Sequence, residues 1–300
     1  MDQSDFQVAA IVALICAMLF HLLPTIYLSF TRNGGQGRSV WTTYLVWFAI
    51  LPILFGPLLT GRLPFLFFSY AASCMCILEF SRHTELHHDT PSEGLMIILI
   101  TALYIAVFQG DILLFMAIYF FSVMAILIFH LLRQEPEKWH SKLLVSLYIY
   151  SYCGAFFSFL PLSYQLDHGK EFLFLYLFLI INNDAFGYII GSRLGKHKFI
   201  TKVSPNKSME GIAAGMAATI LIGMSLKPYL VPTLPTGELV LFCILLSIGG
   251  TTGDLVMSLS KRAFKLKDFG SVIPAHGGVL DRLDSSILMA PTFFFYLAYR

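Results

Sequence analysis

Residues 238–284 read ELVLFCILLSIGGTTGDLVMSL and then SKRAFKLKDFGSVIPAHGGVLDRLD, and the contrast between the two pieces decides the fold. The first piece, 238–259, is an apolar run of spanning length, since a transmembrane helix needs about 20 residues. After Glu238 its only charge is Asp254. The second piece gathers Lys261, Arg262, Lys265, Lys267, Asp268, Asp281, Arg282 and Asp284. With Asp254 these make nine charges in residues 250–284 of a chain that is only 13% charged, a density that solubility does not require. Carboxylates and cations alternating beside glycines suit a site that holds metal ions and phosphates at a membrane surface.

The same alternation of oily run and polar loop covers the 300 residues. Apolar residues make up 57% of the chain and mean hydropathy is +0.73, well above the roughly 45–50% apolar content of ordinary domains. Apolar runs fall near 7–30, 41–60, 63–81, 94–108, 111–132, 143–163, 171–193, 211–227, 238–259 and 285–299. They predict an all-α polytopic integral membrane protein with about ten transmembrane helices (range 8–10). The chain opens Met-Asp-Gln-Ser-Asp, with no basic leader before its first run, so that run is expected to be a retained helix.

The loops 31–40, 82–93, 133–142, 194–210 and 260–284, with Arg193 at one edge, hold 16 of the 20 basic residues. Arg62, Lys170, Lys227 and Arg300 fall on the other side. The positive-inside rule makes the basic face cytoplasmic and the N-terminus external. A net charge of +2 gives no reason to expect nucleic-acid binding. The chain divides by function near residue 170. Residues 1–170 are N-terminal transmembrane helices with few charges at depth. Residues 171–300 are a C-terminal transmembrane catalytic region with cytoplasmic loops 194–210 and 260–284. The five cysteines all lie in apolar runs and read as buried hydrophobes. Gly187, Gly191 and Gly195, like Gly211 and Gly215, recur every four residues and read as close helix packing.

Asp254, Ser258, Lys261 and Lys265 form one helical stripe, with Asp254 about 10 Å deeper than Lys261. A carboxylate at that depth needs a cation, a metal or water. His276-Gly277-Gly278 follows the loop, and the glycines would let backbone N–H groups approach an anion. Asp281 and Asp284 are three apart and so neighbours on a helix, an oxygen-rich pair that suits magnesium. Ser204-Pro205-Asn206-Lys207 reads as a helix start with Ser204 as N-cap, Pro205 in first place and Lys207 beside an anion-binding terminus. Asn182, Asn183, Asp184 and Tyr188 put polar groups at membrane depth, with helix–helix hydrogen bonding as the competing role. Gly191–His197 falls short of a P-loop. The His83/His87/His88 cluster, with Glu79, Glu85 and Asp89, reads as a solvated loop rather than a zinc site.

From Ser258 through Lys261-Arg262, Lys267-Asp268, Gly270, Ile273-Pro274, His276-Gly277-Gly278-Val279 to Asp281-Arg282-Leu283-Asp284, the chain closely resembles the C-terminal motif of phosphatidate cytidylyltransferases, the CDP-diacylglycerol synthases. The resemblance also takes in Asp184-Ala-Phe-Gly-Tyr188, Ser204–Gly211 and Gly253-Asp254, and so covers roughly residues 180–290. Ser260, Phe269, Ala275, Ser208 and Met209 depart from the family's usual residues. None of these departures removes a charged member, so the chain resembles a divergent branch of the family.

The resemblance implies magnesium-dependent transfer of a cytidylyl group from CTP to phosphatidic acid, giving CDP-diacylglycerol and pyrophosphate. Under it, Asp254, Asp281 and Asp284 are the metal ligands, and potassium is an optional second ion. Lys207, Lys261, Arg262 and Arg282 hold phosphates, while Ser204, Ser258, His276, Gly277 and Gly278 orient or admit them. Asp184 supports the polar cavity or a second metal. The implied partners are CTP, a lipid phosphate and membrane lipids, with a homodimer as a further expectation and a bacterial inner membrane as the location. CTP-dependent activation or phosphorylation of an isoprenoid or other alcohol lipid, and an ion-coupled transporter, are the alternatives.

Overall fold

The computed structural model describes residues 3–31, 36–270, 272–273 and 277–300, with backbone alone at 3–4, 20–31, 36–44 and 47. Helices α1 (Gln3–Thr31), α2 (Gln36–Thr60), α3 (Arg62–Ser81), α4 (Thr90–Gln109) and α5 (Ile112–Leu132) come first. A composite helix follows: α6 (Trp139–Ile149), a π-helical stretch Tyr150–Phe156, and α7 (Phe157–Ser163). Then come α8 (Gly169–Leu194), α9 (Met209–Leu230), α10 (Thr236–Ala263), α11 (Leu280–Ile287) and α12 (Ala290–Tyr299). Among the described residues there is no β-strand, and bridges pair Lys198 with Ser208 and Ile273 with Gly277.

Among the described residues, seven helices are long and apolar enough to cross a membrane: α3, α4, α5, the composite 139–163, α8, α9 and α10. The backbone of α1 and α2 adds helices of 29 and 25 residues. This is the all-α polytopic architecture expected. The composite helix differs from a plain span because seven residues in its middle are π-wound, a feature that hydropathy does not register. The last apolar run differs too. It is split at Leu288–Met289, where α11 ends and Pro291 opens α12. Proline suits a first turn because its missing N–H has no partner to lose there.

Burial separates inner from outer helices. Nine consecutive residues of α8, Phe172 to Ile180, are buried, as expected of a helix apolar on every side and packed on every side. On α5, by contrast, Leu113, Phe121 and Leu132 are more than 70% exposed, a surface that lipid would cover. The α8–α9 crossing depends on missing side chains. A Cβ on Gly211 would come within 2.7 Å of the Gly187 carbonyl and 3.0 Å of the Gly191 Cα, so only glycine permits this approach.

The start of α9 corrects the sequence reading. Ser208, not Ser204, is the N-cap: its Oγ accepts from the Gly211 N–H at 3.2 Å, and the helix begins at Met209. The reason is a competing local structure. Phe199 N–H donates to the Lys207 carbonyl and Met209 N–H to the His197 carbonyl, holding 197–209 as a closed loop. Ser208 is therefore extended, and Ser204-Pro205 falls in a turn inside the loop.

Candidate active site

Four segments converge on one polar cluster. Asp184 comes from α8; Asp254, Ser258 and Lys261 from α10; Asp281, Asp284 and Ser285 from α11; and Lys207 from the loop before α9. Gly253 lets α10 and α11 touch, since a Cβ there would lie 2.9 Å from the Asp284 carbonyl. Lys207 Nζ is 2.6 Å from Asp254 Oδ2 and donates to the Thr251 carbonyl at 3.3 Å. Ser258 Oγ, one turn along α10, is 3.5 Å from Asp254 Oδ1. Ser285 Oγ donates to Asp184 Oδ2 at 2.6 Å and lies 3.3 Å from Asp284 Oδ1. Asp184, Asp254 and Asp284 interact electrostatically with one another. Like charges brought together in a span need cations or a metal to remain ionised.

Lys261 bridges the cluster, with Nζ 3.0 Å from Asp281 Oδ1 and 3.7 Å from Asp284 Oδ2. The two aspartates are in different circumstances. Asp281 is nearly enclosed, and its Oδ2 accepts N–H bonds from Phe269 and Gly278, both at 2.9 Å. Those bonds and Lys261 use both of its oxygens to fold the preceding loop. Asp284 has one oxygen on the Ser285 N–H and the other only loosely approached by Lys261.

The glycine pair is also engaged within the protein. Gly277 has φ +83°, and a Cβ there would meet Asp281 Oδ2 at 2.8 Å. A Cβ on Gly278 would lie 2.3 Å from Glu79 Oε2. The anions admitted at these glycines in this structure are the chain's own carboxylates. His276 lies outside the described residues. Ser204 is half-buried in its turn, and its carbonyl accepts from Lys207 N–H. Arg262 is exposed and donates to the Leu266 carbonyl. Arg282 keeps a buried Nε without a hydrogen-bond partner and acts electrostatically on Asp284. Lys265 lies past the end of α10 and leaves the stripe.

Several supporting groups were not among the expected site residues. Ser285 joins two of the carboxylates. Asn183, already read as a polar group at membrane depth, takes the helix–helix role: its Oδ1 accepts from Ser247 Oγ at 2.6 Å, tying α8 to α10. Tyr152 donates to the Asp284 carbonyl at 3.1 Å and Tyr176 to the Ser286 carbonyl at 2.6 Å, so the end of α11 is held by phenols. Tyrosines in apolar runs are unremarkable in sequence, and only the fold shows their partners. His83, Glu85, His87 and His88 are exposed in their loop, but Glu79 and Asp89, read with them as solvated, are buried against other segments.

The donor chemistry fits a hard cation. Asp254, Asp284 and Asp184 offer only oxygens, and magnesium is usually held by one or two carboxylates together with substrate phosphates. Among the described residues no group of three His, Cys, Asp or Glu side chains is placed to hold a metal ion, so a cation here would rest on one or two carboxylates and on substrate phosphates.

A carboxylate cluster flanked by lysines and an unpartnered arginine nitrogen, set among membrane helices, defines a membrane-embedded enzyme for polyanionic substrates. The chain belongs to the cytidylyltransferase family, whose model matches residues 41–300. A phosphatidate cytidylyltransferase of Bacillus subtilis is 29% identical over 245 residues, covering 80% of this chain and 91% of that protein. One from Staphylococcus haemolyticus is 41% identical over 118 residues, covering 39% of this chain and 45% of that one. The uncharacterized protein YnbB of Escherichia coli is 39% identical over 132 residues, 44% of each chain. The second and third similarities therefore span less than half of those relatives.

Proposed function

We propose that this cytidylyltransferase transfers the cytidylyl group of CTP to phosphatidic acid, forming CDP-diacylglycerol and pyrophosphate on the cytoplasmic side of the membrane. The observation that carries the reading is the convergence of Lys207, Asp254, Lys261 and Asp284 from three separate segments. A phosphate oxygen of the lipid attacks the α-phosphorus of CTP. The bond from that phosphorus to the bridging oxygen of the β-phosphate breaks, and pyrophosphate leaves. The nucleophile is already an anion, so no general base is required. What the chain must supply is alignment of two polyanions and stabilisation of charge on the leaving group.

Asp254 and Asp284 would hold magnesium, with Asp184 behind them, and the ion would neutralise phosphate oxygens when bound. Lys207 exchanges its contact with Asp254 for a phosphate. Arg282 offers its free Nε to the same charge. Asp281 fixes the loop and the position of Lys261. Beside Thr251, whose carbonyl accepts from Lys207, an apolar groove of about 450 Å³ runs between Phe199, Ile200, Ile212, Ile248 and Leu255. Its apolar walls and its continuity with Lys207 support its use by the lipid's acyl chains.

The test is transfer of labelled CTP across a panel of lipid phosphates, using purified protein in lipid nanodiscs. Cytidylyl label in the lipid product with phosphatidic acid, dependent on magnesium, supports the reading. Label in the lipid only with an isoprenoid phosphate, or transfer of the γ-phosphate alone, overturns it.

A further inference from the structure

We infer that Glu79, at the end of α3, is a positioning residue for the reaction, setting the place of α11 and hence of Asp281, Arg282 and Asp284. Glu79 Oε1 accepts from the Val279 N–H and Oε2 from the Leu280 N–H, both at 3.0 Å. Val279 is the N-cap position of α11 and makes no side-chain cap of its own. The first N–H groups of a helix lack partners within it, and a negative charge there is favoured by the helix dipole. Here the cap comes from a residue 200 positions away.

Four further observations point the same way. Glu79 is only 3% exposed, and no lysine, arginine or histidine pairs with it among the described residues. Its charge is therefore placed for the α11 terminus. Gly270 and Gly278 leave the space it fills, since a Cβ on either would lie within 2.7 Å of its carboxylate. The stacked rings of Phe80 and Phe269, 4.5 Å apart, join the next residue of α3 to the same loop. Tyr152 holds the Asp284 carbonyl further along α11. Two residues of the N-terminal half thus fix the segment that carries the carboxylates. A glutamine could accept only one of the two N–H bonds and would turn a donor toward the other.

The inference rests on α11 as a carrier of the active site, so the experiment tests the two separately. Glu79→Gln, Glu79→Asp and Asp284→Asn are compared with the unmodified chain in nanodiscs. The readouts are amide hydrogen exchange over 277–287, turnover of CTP with phosphatidic acid, and the magnesium concentration for half-maximal rate. For Glu79→Gln, exchange over 277–287 should rise about tenfold, the scale of one lost charge-assisted hydrogen bond, with little change in α8. Turnover should fall about tenfold or more while half-activation moves to higher magnesium. Glu79→Asp, which keeps the charge, should recover part of both, and it carries the test if Glu79→Gln does not fold. Unchanged exchange, faster exchange in every helix alike, or faster local exchange with normal turnover and magnesium dependence each overturns the inference. If Asp284→Asn retains full turnover, the reading of α11 fails instead.

Discussion

Lys207 Nζ stands 2.6 Å from Asp254 Oδ2, joining the loop before α9 to the C-terminal third of α10. The pair is about one-quarter exposed on both sides, so it is open to exchange with a phosphate. Removing the carboxylate should therefore act on chemistry more than on folding. Asp254→Asn is expected to lower turnover about 100-fold or more, the scale of losing one preorganised electrostatic contact. Lys207→Met should raise the KM for CTP while leaving the protein monodisperse. Steady-state kinetics with labelled CTP, beside size-exclusion chromatography, checks both.

Asp281 and Asp284 sit one helical turn apart on α11, yet their surroundings assign them different work. Asp281→Ala would strand two N–H donors and Lys261 in a nearly closed site. Breaking a buried charged contact of this kind costs about 3–5 kcal/mol, so the thermal midpoint should fall clearly. Asp284→Asn removes less protein contact and should leave the midpoint close to that of the parent. Its mark should be a higher magnesium requirement and a loss of turnover. Thermal unfolding and magnesium titration on both variants separate anchor from ligand.

Hydropathy locates α3, α8 and α10 to within a few residues because a helix that crosses the hydrocarbon core needs about twenty predominantly apolar residues, whether lipid or protein covers them. The run 63–81 becomes Arg62–Ser81, and 171–193 becomes Gly169–Leu194. The stripe from Asp254 to Lys261 was equally legible, since helical spacing is local. What stayed hidden is tertiary. Glu79 read as part of a solvated histidine loop but is buried, and nothing near it in sequence names residues 279 and 280 as its partners. Ser204 carried the stronger local capping pattern, but the pairing of Lys198 with Ser208 delays the helix. Gly278 read as room for a bound phosphate, while in the fold that room is taken by Glu79.

The α8–α9 crossing places Asp184, and its tolerance is small. Any side chain on Gly211 meets the backbone of α8, which cannot move aside as a flexible side chain would. Gly211→Val is expected to destabilise the protein by about 1–3 kcal/mol through overpacking. Turnover should fall as well, because Asp184 and its bond to Ser285 lie on the displaced face. A control at Gly237, where a Cβ meets nothing within 4 Å, should show neither change as Gly237→Ala. Thermal midpoints and turnover for the two variants give the comparison.

The apolar groove beside Thr251 provides a test of lipid binding that leaves the charged cluster alone. Ile212 lines it from the first turn of α9. Ile212→Trp would fill part of its volume without touching Lys207 or Asp254. The expected result is a several-fold higher KM for long-chain phosphatidic acid, a smaller effect with short chains, and an unchanged KM for CTP. An equal rise for both substrates would mean that the groove is not a lipid path. Kinetics on a chain-length series in mixed micelles decides the matter.

The loops before α4 and after α5 are held by a separate ionic knot, with its own pH dependence. Asp89, nearly enclosed, lies 2.9 Å from Lys142 Nζ and also pairs with Arg133, and both cations reach Glu135. Burial pushes the Asp89 carboxyl up, but the hydrogen bonds from Lys142 and Arg133 outweigh it and hold the group below the ordinary carboxylate range. Its folded-state pKa is thus lower than its unfolded one. The stabilisation it gives is present above the unfolded value, about 4, and is lost as pH falls through the folded value. At pH 7, Asp89→Asn should lower stability by about 2–3 kcal/mol, less than a fully buried pair because Arg133 is partly solvated. The gap in thermal midpoint between this variant and its parent should be full at neutral pH and close below about pH 4. A gap that persists unchanged to pH 3 would show that Asp89 acts through its shape and through the bond its Oδ1 accepts from Ser92 N–H at the start of α4, and not through its charge.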